Sequence, residues 1–202
     1  MLTSSRPVAL RRLGLDPERL RARYPRLCAV AIIGYPAPNS DKPGHDLTYL
    51  AEWGLLSPPG MPRTLLADLA GAERAVSATL ALLLERAEGR GANHAEVALS
   101  EAAASFAEPL RYGITKPGAA LGGGLPGYNL YPTRRGWLAV AALEAHFLER
   151  LQLELGLEEA TREDFEEAFS CKTAEEWEEW ARERDLPLAA LRDAPREKEE
   201  NQ

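Results

Sequence analysis

A short run near the N-terminus constrains the fold more than any other part of the sequence. Residues 27–35 read LCAVAIIGY, an apolar and partly β-branched run that ends in glycine and tyrosine. Such a run is typical of a strand buried on both faces in a parallel sheet. A parallel strand needs neighbours, and residues 1–26 offer little that could supply one. We therefore expect an incomplete sheet with an exposed apolar edge beside Leu27–Ile33, unless another chain covers it.

Helix signals occupy most of the remaining chain. Asp16-Pro17-Glu18 combines a capping residue, a first-turn proline and an acid, and predicts a helix that ends before Pro25. The other predicted helices share an apolar periodicity or a Thr-x-x-acid start: 45–53, 64–88, 97–110, 144–155, 161–170 and 173–184. Two short β-prone runs, 128–131 and 137–140, flank a turn at Arg134-Arg135-Gly136 and predict a β-hairpin.

Charge and composition exclude several classes of protein. The net charge is −7, and the seven arginines among residues 1–26 are accompanied by no lysine and by a single aromatic residue, Tyr24, so nucleic acid is not an expected partner. Cys28 and Cys171 are too few for a disulfide framework or a metal site, and a reduced, cytoplasmic protein is the simplest interpretation. No apolar stretch reaches the length of a membrane span, and no secretory leader is evident.

Two polar residues stand out for chemistry. His45 follows a loop rich in proline and glycine and begins a helix, so it is either a base near neutral pH or a residue that only caps the helix. Asp68 lies in the apolar run LLADLAG, so it is either a catalytic acid or nucleophile, or an N-cap.

Two further features are less specific. The glycines at 122–124 match neither a dinucleotide fingerprint nor a Walker loop, so they indicate either a mobile lid or an ordinary connection. Glu144 is, by position, a surface or capping acid.

Taken in order, these segments resemble the family III CoA-transferases. The sequence GHDLTY at 44–49 is similar to the GHD-x-x-Y motif of the family's racemase-like branch, and PRTLLADLAG at 62–71 is similar to P-x-N-L-L-A-D-x-A-G, with Thr64 in place of asparagine. The further similar segments, each matching a family motif in register, are 6–15, 86–91, 96–103, 123–133, 139–147 and 169–177. The resemblance covers about residues 4–190.

The resemblance implies an α/β fold: a family III CoA-transferase fold that lacks its N-terminal Rossmann-like segment, mostly helical, with a short parallel strand and a small hairpin-containing α/β domain. It implies four parts, namely a remnant of the large CoA-binding domain at 1–104, a small α/β domain at 105–170, return helices at 171–192 and a disordered tail at 193–202. No cofactor is held permanently and no metal is implied; a coenzyme A thioester is the substrate.

The resemblance also implies roles. His45 and Asp68 would transfer the α-proton of an acyl-CoA thioester on opposite faces of one carbon, and Glu144 would orient His45. Arg12, Asp46 and Tyr49 match positions that line the CoA site. Two alternatives remain open: CoA transfer with Asp68 as a covalent nucleophile, and a non-catalytic member that serves as a binding subunit. A homodimer, or a chain that supplies the missing segment, is the expected partner.

Overall fold

The computed structural model describes residues 1–91 and 93–193, which form two compact units that divide between Glu108 and Pro109. The elements of the first unit, in chain order, are β1 (Leu2–Thr3), α1 (Pro7–Arg12), α2 (Pro17–Arg23), β2 (Ala29–Ile33), α3 (Asp46–Glu52), α4 (Leu66–Ala87), β3 (His94–Ala98) and α5 (Leu99–Phe106). A short helix, α6 (Glu108–Arg111), spans the division between the units. The expected α/β class is confirmed.

The predicted strand is present, and it is the middle strand of its sheet. β2 pairs in parallel with β1 on one side, where Val30 lies opposite Leu2, and with β3 on the other, where Val30 lies opposite Ala95. The expectation of an exposed apolar edge beside Leu27–Ile33 was therefore wrong. The neighbours are supplied by the first three residues of the chain and by the segment 94–98, whose last two residues, Val97 and Ala98, fall within the helix predicted over 97–110.

The start of the helix predicted over 97–110 was also wrong. The alanine-rich run 97–110 was predicted to be helical throughout, but Val97 and Ala98 complete β3, opposite Ile32 and Ile33, and the helix begins only at Leu99. Both strand residues are buried, so pairing and burial outweigh the helical preference of the alanines that follow. The Ser100 amide, in the first turn of α5, donates to the Gly34 carbonyl at 3.0 Å and ties α5 to the end of β2.

The long helix α4 follows its predicted bounds closely, but it packs by its small residues. Its buried positions are Ala67, Gly71, Ala75 and Leu82. The leucine and valine positions that gave the apolar pattern are instead largely exposed: Leu69, Val76, Leu80, Leu83 and Leu84. Small side chains let α4 lie close to its neighbours, and a Cβ on Gly71 would overlap the Leu99 side chain. Residues 69, 76, 80 and 83 form one row along the helix.

The second unit is a small antiparallel sheet with three helices. Its elements are β4 (Tyr128–Pro132), β5 (Trp137–Ala141), α7 (Ala145–Leu155), α8 (Arg162–Phe169), α9 (Ala174–Arg182) and β6 (Leu188–Ala190). β4 and β5 form the predicted hairpin, and β6 adds to the outer side of β5. The predicted Thr starts of α8 and α9 are confirmed as capping boxes, in which the Thr161 and Thr173 amides donate to Asp164 and Glu176.

Aromatic side chains make up much of the core of this unit. Tyr131, Phe165, Phe169 and Trp177 pack against one another and against Leu151 of α7, all essentially buried. The two polar atoms among them are satisfied: the Tyr131 hydroxyl donates to the Pro126 carbonyl at 2.7 Å, and the Trp177 ring N–H donates to the Phe169 carbonyl at 2.9 Å. Burial also raises the pKa of Tyr131 to about 12, so the phenol stays neutral.

Residues 171–192 contribute α9 and β6 to the second unit. The division into 1–104, 105–170 and 171–192 as functional parts stays a prediction. The predicted disordered tail, 193–202, lies outside the described residues apart from Asp193. In the described part of the chain, no helix combines the length and apolar character that a membrane span requires.

Two leucines of α7 test the core assignment. Leu151 has 0 % of its surface exposed, whereas Leu153 is 79 % exposed on the same helix. We expect Leu151→Ala to lower the free energy of unfolding by about 2–5 kcal/mol, because it leaves a cavity among the aromatic rings. Leu153→Ala should change it by less than about 0.5 kcal/mol. Urea unfolding followed by tryptophan fluorescence measures both, and equal effects would contradict the packing described here.

Candidate functional site

The loop that carries His45 is fixed by a buried tyrosine. Tyr49 is 1 % exposed and packs edge-on against Tyr35 at a ring separation of 5.2 Å. Two glycines make room for it, since a Cβ on Gly34 would lie 2.5 Å from its hydroxyl and one on Gly44 would lie 2.5 Å from its ring. The glycine of the GHD motif is therefore required by close packing, and the packing places His45 directly after it.

The other end of this loop is tied down by polar contacts. The Tyr35 hydroxyl and the Lys42 ammonium group donate to the same oxygen of Glu52 at the end of α3, at 2.8 and 2.9 Å. These contacts join the loop of residues 36–44 to the helix that follows it. The backbone between β2 and α3 is thus held at both ends.

His45 is the N-cap residue of α3. Its backbone amide donates to the Thr48 hydroxyl at 3.0 Å, and that hydroxyl donates back to the His45 carbonyl at 2.8 Å. The capping role foreseen as the simpler alternative for His45 is thus made by its backbone together with Thr48. The side chain of His45 is exposed.

Asp46, the next residue, joins the two motifs. It is 5 % exposed, and its Oδ1 accepts from the amides of Ala67 and Asp68 at 2.7 and 3.1 Å. These amides belong to the first turn of α4, where backbone N–H groups have no partner within the helix. The GHD segment and the LLAD segment, about twenty residues apart in the chain, therefore meet at one carboxylate.

Asp68 lies in the first turn of α4, two residues after the helix begins, and its side chain is exposed. It is not the N-cap, so that interpretation of Asp68 was wrong; the N-cap position is Leu65, and the capping carboxylate comes from Asp46. Partial burial raises the pKa of Asp68 above 3.8, the nearby charge of Asp46 raises it further, and His45 opposes the shift. Asp68 therefore interacts electrostatically with both titratable residues of the GHD motif, His45 and Asp46.

A cavity of about 250 Å³ adjoins this junction. It is lined by Asp46 and Leu47 of α3 and by the segment 61–65 that leads into α4. The second carboxylate oxygen of Asp46, Oδ2, is buried and has no hydrogen-bond partner among the described residues. A buried acceptor without a partner is unusual, and it is able to take a hydrogen bond from a ligand or a water molecule.

The remaining candidates are placed as follows. Arg12 ends α1 and is exposed, and its neighbour Arg11 pairs with Asp41 at 3.6 Å. Glu144 belongs to the second unit, where it is the N-cap residue of α7 and its carboxylate is exposed. The structure brings together His45, Asp46, Tyr49 and Asp68 in the first unit. The pairing of Glu144 with His45 and the contacts of Arg12, Asp46 and Tyr49 with CoA stay predictions.

The glycine segment of the second unit folds tightly on itself. A Cβ on Gly122 or Gly124 would overlap the carbonyl oxygens of Lys116 or Gly118, and the Asn129 side chain donates to the Gly123 carbonyl at 2.9 Å. This compact turn supports the simpler interpretation of the segment, an ordinary connection. It borders a cavity of about 500 Å³ that is also lined by Trp137, Val140 and Arg162.

Sequence reasoning missed the structural role of Asp46. Its position directly after His45 suggested only that it lines a ligand site. No sign of this role is present in the sequence, because Thr64 stands at the predicted start of the helix and could serve as a local cap, whereas in the structure α4 begins at Leu66 and its N-cap position is Leu65. A long helix without a local cap implies that a cap comes from elsewhere in the fold.

Comparison with known proteins gives two kinds of relative. Over 208 residues, human α-methylacyl-CoA racemase is 30% identical, covering 88% of this chain and 54% of the relative. The probable fatty acyl-CoA transferase Rv3272 of Mycobacterium tuberculosis is 33% identical over 112 residues, covering 51% of this chain and 28% of the relative. The chain thus spans about half the length, or less, of these curated relatives.

The fold has solved counterparts as well. The crystal structure of Rv3272 matches with a TM-score of 0.76 at 24% sequence identity, covering 96% of this chain and 62% of that one. A CAIB/BAIF family protein from Brucella suis matches with a TM-score of 0.66 at 17% identity, covering 95% and 59%. The sequence model described as CoA-transferase family III matches residues 1–200, and the chain belongs to this family.

Proposed function

We propose that this chain takes part in α-proton transfer on an acyl-CoA thioester, with His45 and Asp68 as the two proton-transfer groups. The observation that carries the proposal is the junction at Asp46, which brings the segment of His45 to the segment of Asp68. Racemisation at a carbon next to a carbonyl requires two acid–base groups of suitable pKa within reach of one carbon. The similarity to α-methylacyl-CoA racemase supports the same chemistry.

The proposed step is balanced by two proton transfers. One group accepts the α-proton, and the electron pair of the broken C–H bond becomes the enolate of the thioester. The other group then donates its proton to the opposite face of the same carbon. Imidazole is the side chain most often used for proton transfer near neutral pH, and a raised pKa brings the Asp68 carboxyl closer to that range. Glu144 is proposed to orient His45, as the resemblance implies.

CoA transfer is the second candidate. In that reaction the Asp68 carboxylate attacks the thioester carbonyl, the C–S bond breaks, CoA leaves as a thiolate, and an acyl anhydride remains on Asp68. Two observations favour it: the carboxylate of Asp68 is exposed, and one relative is a probable fatty acyl-CoA transferase. A transferase has no need of a second base, so His45 favours proton transfer. A non-catalytic binding subunit is the third possibility.

Isotope exchange tests the main proposal. We expect the full chain to exchange the α-proton of a 2-methylacyl-CoA with D2O, measured by mass spectrometry. His45→Ala and Asp68→Ala should each slow the exchange by about 10²–10⁴-fold, because each removes one acid–base group.

The same isotope-exchange assay includes a control variant and distinguishes the two alternative functions. His146→Ala removes an exposed imidazole of the second unit and should leave exchange unchanged. Acylation of Asp68 trapped with hydroxylamine, without α-proton exchange, would establish the transferase instead. Binding of acyl-CoA with neither reaction would establish a binding subunit.

The Asp68 carboxyl group is expected to titrate at a higher pH in the folded chain than in the unfolded chain. In the folded chain, the midpoint of its side-chain carboxyl resonance should lie above that of the same group in urea, because burial and Asp46 disfavour its charged form. The linked stabilisation is fully present below the unfolded-state pKa, near 3.8, and is lost as the pH rises through the folded pKa. A folded midpoint at or below the unfolded one, measured by ¹³C NMR, would contradict the electrostatic coupling.

A homodimer is part of the proposed assembly. The exposed row of Leu69, Val76 and Leu80 on α4 supports it, since a row of apolar side chains along one helix is typical of an interface. We expect a dimer in sedimentation equilibrium, weakened by Leu80→Glu through the burial of a charge. Leu153→Glu, at an exposed leucine of the second unit, is the control. A monomeric wild-type chain would overturn this proposal. The cytoplasmic location stays a prediction.

A further inference from the structure

Asp46 is the only carboxylate among the buried residues that the structure describes. Removing a carboxylate from water is costly unless hydrogen bonds or opposite charge compensate for the loss. A residue needed only to meet a ligand at a surface cleft would have no reason to be buried to this extent. The groups that hydrogen-bond to the buried Asp46 carboxylate therefore indicate the role of this residue.

The compensation comes from α4. Two amides of its first turn donate to Oδ1, and the turn lies at the positive end of the dipole of a 22-residue helix. Asp46 in turn is held in place because its backbone opens α3, whose entry is fixed by the contact between Thr48 and His45 and by the packing of Tyr49. A change in the position of Asp46 would move the first turn of α4, and Asp68 belongs to that turn.

From this geometry we infer that Asp46 is a positioning residue: beyond any contact with CoA, its buried carboxylate anchors the first turn of α4 and fixes the placement of Asp68 relative to His45. This inference adds a positioning residue to the proton transfer proposed above, and it rests on that proposed function. The hydrogen bonds themselves exist whether or not the chain catalyses the reaction, so the two ideas can fail separately.

The charge of Asp46 has a second effect. The Asp68 carboxylate interacts electrostatically with Asp46 and His45, and it acts in turn on Tyr49. An asparagine at position 46 would offer the same accepting oxygen to the amides of α4, but without the charge. The aspartate thus combines an anchor, which asparagine would retain, with a negative charge, which asparagine would lose.

That distinction defines the experiment. Asp46→Ala removes the anchor and the charge, and we expect hydrogen exchange at the Ala67 and Asp68 amides to accelerate by roughly 5- to 10-fold. Asp46→Asn should leave this exchange within about twofold of the wild-type rate. It should nevertheless lower the midpoint of the Asp68 carboxyl titration and shift to lower pH the Asp68-dependent limb of the pH profile of α-proton exchange. Because Asp46→Asn keeps the hydrogen bonds to α4, a shift of the Asp68-dependent limb in this variant would report the lost charge and not a loss of packing.

Asp16 provides a matched control. It is also a capping aspartate, and its Oδ1 accepts from the amides of Glu18 and Arg19 at 2.9 and 3.4 Å at the start of α2. Asp16→Ala should accelerate exchange at those two amides and leave Ala67, the Asp68 titration and the pH profile unchanged.

The outcomes separate the two proposals. If Asp46→Ala leaves the Ala67 and Asp68 amides protected, and Asp46→Asn leaves the Asp68 midpoint in place, the positioning role is overturned, even in an active chain. If the amides and the midpoint respond as expected but the wild-type chain exchanges no α-proton, the anchor is established and the proposed proton transfer fails. Should Asp46→Ala not fold, Asp46→Glu takes its place: the longer side chain keeps the charge but displaces the accepting oxygen, so faster exchange at the Ala67 and Asp68 amides supports the anchor and unchanged exchange overturns it.

Discussion

The bond between the Asp46 carboxylate and the first turn of α4 is the interaction on which the rest of the candidate site depends. It joins a short helix that starts at His45 to a long helix that carries Asp68, although the two residues are far apart in the chain. A buried carboxylate is stable only with such partners, and an uncapped helix start gains most from such an acceptor. The amides of α4 satisfy the buried Asp46 carboxylate, and the carboxylate caps the start of α4. This single contact therefore fixes the geometry of both motifs.

The surrounding structure serves to keep that contact in place. β2 ends at Ile33, directly before Gly34. Gly34 and Gly44 leave room for the Tyr49 side chain, and the packing of Tyr49 fixes the loop that precedes His45. On the other side, α4 lies close to α5 through small residues, and Gly71 faces Leu99. A single packed frame thus supports both His45 and Asp68, the two residues proposed for proton transfer. The larger leucines of α4 are left on the exposed side of the helix, where they are available to another surface.

The second unit has a different physical basis. Its three short strands are stabilised by a cluster of aromatic rings whose polar atoms donate to backbone carbonyls. Two of its helices, α8 and α9, begin at threonines with an acid three residues on, a local signal that needs no tertiary information. This explains why the hairpin and the acidic helices agreed with prediction, whereas the first unit required three corrections: the exposed sheet edge, the start of the helix at 97–110, and Asp68 as an N-cap. Glu144 begins α7 at the surface of this unit, with its carboxylate exposed.

The sequence by itself determined the elements whose signals are local: the buried strand at 29–33, the helix starts at Asp16, Thr161 and Thr173, the hairpin, and the order of motifs that identifies the family. Tertiary structure decided which segments pair with β2, because strand partners are chosen by burial and register between distant residues, and the local alanine preference favoured a helix at Val97. It also decided which face of α4 is buried, since close approach of helices selects small side chains over large ones. Above all, it decided the role of Asp46, because a cap supplied from a distant part of the chain leaves no pattern in the sequence around either partner.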